Sequence, residues 1–160
     1  MAGSSAADTF ISPQALLAHW QGHRALTRRV IEAFPDDKFT TYSIGGMRPF
    51  SLMSVELLRM AAPTVRGVLT GDWKEGVKAE ALPKADVLRL WDESTKELDA
   101  TWPKIPVARF QETVKAFGQW ESRVNDLVLY LVDNEIHHRA QGYVYLRSLG
   151  IEPPHFWERK

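Results

Sequence analysis

A chain of 160 residues with 44% hydrophobic and 25% charged side chains has the make-up of one globular domain with a full apolar core. Twenty basic residues balance 20 acidic ones, so no global field favours nucleic acid or an anionic membrane. The absence of cysteine excludes a thiol nucleophile, a zinc–thiolate site and any disulfide, and no apolar run approaches the ~20 residues of a membrane span.

Residues 1–11 read as a flexible start, lacking the basic and apolar regions of a signal peptide, and residues 12–160 as a single domain. With the lack of cysteine, this leads us to expect a cytoplasmic protein. Ser12-Pro13 is a helix start, and Ala15, Leu16, Trp20, Leu26, Val30 and Ile31 give a first helix ending near Phe34-Pro35. Asp36 to Met47, with Gly45-Gly46, reads as a loop. A second helix is expected from about Arg48-Pro49 to Leu69, closing at Thr70-Gly71, with Pro63 inside it. Asp72 to Pro83 reads as a polar connection anchored by Trp73. A third helix over Lys84 to Ala100 has Leu88, Trp91, Thr95 and Leu98 as its inner face.

Arg109 to Gly118 carries both helical and alternating spacings and is expected to be irregular or partly extended. The last helix spans about Ser122 to Leu149, with Gly150 as its left-handed cap and Pro153-Pro154 beyond it. The tail residues Phe156 and Trp157 are expected to pack back on the body. Four main helices with few strand signals give an all-α fold, a four-helix bundle with a long crossover connection.

The last helix is the most informative. Leu127, Leu131, Asn134, His138, Gln141 and Tyr145 fall on one stripe, since steps of three and four return to the same face. The leucines mark this stripe as core-facing, so Asn134, His138 and Gln141 need partners inside, where an unmade hydrogen bond costs about 1–3 kcal/mol. His137 is turned about 100° away, with Asp133 one turn before it as a local partner. His19 and His23 are a second helical pair at metal-compatible spacing, and Arg24, Arg28 and Arg29 read as a solvated basic face. No glycine-rich phosphate loop or nucleophile elbow is present.

The run His137-His138-Arg139-Ala140-Gln141, with Tyr145-Leu146-Arg147, Leu149-Gly150 and Pro153-Pro154, resembles the last helix of the DinB/YfiT-like superfamily. The order of helices fits that resemblance over residues 12 to 157. It implies a four-helix bundle holding a divalent metal, zinc or nickel, through three histidines. Two of these lie four residues apart on the last helix and one lies on the second helix. Here the corresponding positions are Asn134, His138 and Met60, so two of the three ligands are replaced. A thioether, an amide and one imidazole form a poor set for zinc or nickel. Glu56, one turn before Met60, together with His137 and Gln141, completes the candidate pocket, and Arg139 is expected to pair with an acidic residue.

Two functions follow from the resemblance. One is a metal-dependent hydrolase or thiol transferase with a degenerate metal site centred on His138. The other is a non-enzymatic bundle that has lost the metal and binds a small molecule or serves as a dimer, stress-associated like its relatives. The resemblance also implies a homodimer, with Tyr143, Tyr145, Phe156 and Trp157 as interface aromatics, and neither nucleic acid nor membrane as partner.

Overall fold

The computed structural model describes residues 10–160. The flexible start read over residues 1–11 thus lies outside the described residues, except for Phe10 and Ile11, which are exposed.

Helix α1 spans Pro13–Ala33, with Ser12 Oγ accepting the Ala15 N–H at 3.1 Å and Pro13 in the first turn. The stretch read as a loop contains one helical turn, α2 (Asp36–Phe39). Pro35 and two aspartates suit its N-terminus, and the ring of buried Phe39 meets Phe34 and Phe50. Helix α3 spans Phe50–Thr70 with Pro63 inside it, and α4 spans Lys84–Thr101. The inner face of α4 is shifted from expectation: Val87, Trp91, Ser94 and Leu98 are buried, while Leu88 and Thr95 are only half-buried. This helix packs against both α1 and α3, so its apolar arc is broader than one stripe.

The ambiguous segment resolves into a 3₁₀ turn (Val107–Gln111) and an antiparallel hairpin of β1 (Thr113–Ala116) and β2 (Trp120–Arg123). Thr113 pairs with Arg123 and Ala116 with Trp120. Because β2 takes Ser122, the last helix, α5, begins at Val124 and runs to Ser148.

The four long helices form a ring in the order α1, α4, α3, α5. One half of the core joins the start of α1 (Leu16, Trp20) to the ends of α3 and α4 (Val68, Leu98) and the start of α5 (Val124, Val128). The other half joins the end of α1 (Val30, Phe34) to the starts of α3 and α4 (Phe50, Val87) and the end of α5 (Tyr145, Leu146). Helices α1 and α5 therefore run one way, and α3 and α4 the other. Parallel neighbours need a connection as long as the bundle. Residues 71–83 provide it by running back along α3. Trp73 lies flat on Gly67, where a Cβ would sit 2.2 Å from the indole. Glu75 then pairs with Arg59, and Ser51 Oγ donates to the Leu82 carbonyl at 2.7 Å and accepts its N–H at 2.8 Å.

Trp20, Trp91 and Trp102 are fully buried. The expected packing of the aromatic tail does not occur: Phe156 is 62% and Trp157 63% exposed, and the tail is held by buried Pro153, by Glu158 on Arg29 and by Arg159 on Gly22. Tyr145 is fully buried, so it is no interface residue. Among the described residues, no helix is long and apolar enough to cross a membrane.

Candidate functional site

Helices α3 and α5 approach closely at Gly142, where a Cβ would lie 2.6 Å from the Phe50 ring. That approach sets the polar stripe of α5 against the first half of α3. His138, 6% exposed, faces Gln141 Oε1 through Nδ1 at 2.8 Å and Glu56 Oε1 through Nε2 at 3.1 Å. Both ring nitrogens thus meet acceptors; turning the Gln141 amide would let it donate to Nδ1 instead. Asn134 Nδ2 donates to the same Glu56 oxygen at 3.3 Å and lies 3.5 Å from Met60 Sδ. The stripe read from the sequence, with Glu56 and Met60, is therefore brought together.

Arg48, which the sequence reading passed over, closes the cluster. Its Nη1 donates to Glu56 Oε2 at 2.6 Å, and its Nη2 lies 3.5 Å from His138 Nε2. The Tyr145 hydroxyl fixes the Arg48 backbone by donating to its carbonyl at 2.9 Å. Burial raises the Glu56 carboxyl, but hydrogen bonds from Arg48, His138 and Asn134 outweigh it and hold its pKa below the usual carboxylate range. His137 is not drawn in. It is exposed, its ring is 5.0 Å from that of His138, and it makes no ion pair with Asp133 among the described residues.

From Glu56 and Met60 a cavity of about 690 Å³ opens between α3 and the first half of α5. Phe117 and Trp120 of the hairpin roof it, Tyr130 and Leu127 of α5 form one wall, and Arg59 and Glu75 stand at the rim.

The model of the DinB family matches residues 7–159. The chain belongs to the DinB family. A DinB-like protein of Bacillus subtilis is 18% identical, with 91% of this chain and 99% of that one covered and a TM-score of 0.72. A DinB-like protein of Bacillus cereus is 13% identical, covers 89% and 95%, and gives 0.68. A variant of a mycothiol-dependent maleylpyruvate isomerase is 14% identical with a TM-score of 0.62; 81% of this chain and 60% of that longer one are covered. At these identities the likeness concerns the fold alone. No curated protein matches the sequence.

The resemblance of this DinB-family chain to metal-binding bundles implies a divalent ion at Met60, Asn134 and His138, and the donor set does not fit one. Asn134 turns its amide nitrogen, a donor without a free lone pair, toward Glu56 and Met60. The thioether suits soft ions rather than zinc or nickel. Glu56 and His138 remain as two donors, and among the described residues no three His, Asp or Glu side chains converge. The guanidinium of Arg48 already supplies the positive charge that balances Glu56.

A second polar cluster, on the side of α5 that faces α1, escaped the sequence reading. Glu135 is 2% exposed and accepts from Trp20 Nε1 at 3.0 Å and Thr27 Oγ1 at 2.6 Å. Burial pushes its carboxyl up, opposed by Arg24, Thr27, Trp20 and Arg139. Arg24 is no solvated residue: it is 1% exposed, lies 4.4 Å over Trp91, and leaves Nε and Nη1 without partners. Arg139 pairs differently from the expectation, donating to Thr27 Oγ1 at 3.2 Å and to His23 Nδ1 at 2.9 Å, with Glu135 attracting it from nearby. His19 is exposed and its Nε2 lies 3.2 Å from Nε2 of His23. Burial first, then Arg139, Arg159 and His19, lowers the His23 pKa to about 4. The guanidinium groups of Arg139 and Arg159, at 2.9 and 3.3 Å from its two ring nitrogens, make His23 a poor metal ligand.

Proposed function

We propose that this DinB-family bundle binds a small organic ligand in the cavity beside Glu56 and His138, without a divalent metal. The observation that supports this reading is the closed set of contacts among Glu56, His138, Asn134 and Arg48 at the positions where the resemblance implies a metal. A metal-dependent hydrolase or thiol transferase needs an ion with open coordination positions, and a carboxylate neutralised by arginine offers no such vacancy. No hydroxyl nucleophile hydrogen-bonds to His138 among the described residues, so the histidine has nothing to activate for covalent catalysis. A cavity of about 690 Å³ lies within the size range of small-molecule sites.

The test is metal content of untagged protein by plasma mass spectrometry, followed by titration with zinc, nickel and manganese. The expected result is substoichiometric metal and no binding at micromolar concentration, with the Met60→His/Asn134→His double variant gaining zinc. Stoichiometric metal in the wild-type protein, lost in His138→Ala, would overturn the proposal and return the enzymatic reading to the front.

A further inference from the structure

We infer that this cavity takes an organic cation, a flat apolar body carrying an amine; the inference rests on the cavity reading above and adds the chemical class. Three observations carry it. The first is unfilled acceptor capacity. Glu56, Glu75 and Asp126 line the cavity, against Arg59 as the single lining cation among the described residues. Arg48 and Arg123 reach Glu56 and Asp126 from outside the lining. Each carboxylate is engaged by its arginine through one oxygen: Glu56 Oε2, Glu75 Oε2 and Asp126 Oδ2. An ionised carboxylate accepts about four hydrogen bonds, so Glu75 Oε1, Asp126 Oδ1 and the second lone pair of Glu56 Oε2 have acceptor capacity left for a ligand N–H. Three arginines balance the charge of these three carboxylates, and a carboxylate ligand would bring only further acceptors to their remaining lone pairs.

The second observation is the aromatic lining. Trp120 and Tyr130 are 58% and 56% exposed, and both lie at the cavity. Aromatic faces attract cations through the ring quadrupole, and recognition of amines by aromatic and acidic groups together exploits this. The third is backbone strain. Phe117 has φ +51°, in the left-handed region that bulky residues avoid at a cost of about 1–3 kcal/mol. The strained turn holds the Phe117 ring between Trp73 at 5.6 Å and Trp120 at 6.2 Å, over the cavity. Strain of this kind persists where surrounding contacts over-determine the residue, and such sites cluster at ligand clamps.

Three probes with one ring system separate the possibilities: 2-naphthylmethylamine, 2-naphthylmethanol and 2-naphthylacetate, each titrated calorimetrically into the full chain at low salt. The amine should bind about tenfold tighter than the acetate, the size of one well-formed cation–π contact. Trp120→Ala and Tyr130→Ala should each weaken amine binding several-fold; both residues are exposed, and circular dichroism confirms the fold. Equal or tighter binding of the alcohol or the acetate would overturn the cation class and leave the cavity reading standing. Absence of binding by all three would overturn both. Amine binding untouched by either substitution would place the amine elsewhere and overturn the inference.

Discussion

Helix α5 sends polar side chains to two sides of the same bundle, and the two sides solve the problem differently. Toward α3 it presents Asn134, His138 and Gln141, which meet the half-exposed Glu56 and Arg48 beside an open cavity. Toward α1 and α4 it presents Glu135 and Arg139, which meet Trp20, Thr27 and His23 in a sealed interior. Water can replace lost partners on the first side and has no access on the second. The lesson is that one helix can carry a solvent-reached cluster and a sealed cluster one residue apart in sequence. Solvent access separates them, since residue type is similar in both.

The largest effect expected from this contrast is that of Glu135→Ala. Removing the carboxylate takes from buried Arg24 and Arg139 the acidic group that acts on both. Breaking a buried charge cluster by deleting one partner costs about 3–5 kcal/mol. Urea unfolding monitored by circular dichroism measures it. A loss no larger than that of Glu56→Ala would erase the distinction between the two sides.

How far the sequence reveals each side follows from the same geometry. The stripe from Leu127 to Tyr145 was readable because helical periodicity alone places six residues on one face. Glu135 and Arg24 were not, because α5 and α1 are each packed on two sides and a single-stripe reading follows only one of them. Arg48 was hidden for another reason: it precedes α3 in a loop, and only the tertiary fold brings it to Glu56, with Tyr145 holding its carbonyl. Strands of four residues are too short for alternation to settle, so the segment holding β1 read as irregular or partly extended, and β2 went unread. The aromatic tail misled because apolar composition says nothing of whether a surface groove exists to receive it.

A second, smaller effect concerns pH and belongs to the sealed side. His23 titrates near 4 in the fold and near 6.5 when unfolded. A depressed folded pKa means that the contribution to stability is present above about 6.5 and is lost as pH falls through 6.5 toward 4, up to about 3 kcal/mol in all. Glu135 has the opposite sign. Its raised pKa favours the fold below the ordinary carboxylate value of 4.5, and that advantage fades as pH rises through the folded pKa. Between pH 7 and 4.5 the histidine's part lowers the urea midpoint of the wild-type protein and the carboxyl's part opposes it. His23→Gln, whose amide oxygen can still accept from Arg139, should show a shallower decline; an unchanged decline would remove His23 as its source.

The smallest expected change in stability is the one that most sharpens the contrast. Glu56 is 31% exposed at its side chain, and its ion pair with Arg48 is half in solvent. Such pairs contribute about 0–1 kcal/mol. In Glu56→Gln the amide oxygen can stay with Arg48, while the new amide nitrogen donates to His138 Nε2 and the Asn134 amide turns to offer its oxygen. The urea midpoint should therefore shift little. Affinity for the naphthyl amine should fall, because the substitution removes a carboxylate from the cavity wall without removing its shape. A variant that unfolded as readily as Glu135→Ala would mean that Glu56 is part of the framework. The α3 side of α5 would then be a second structural cluster, and solvent access would no longer distinguish the two sides.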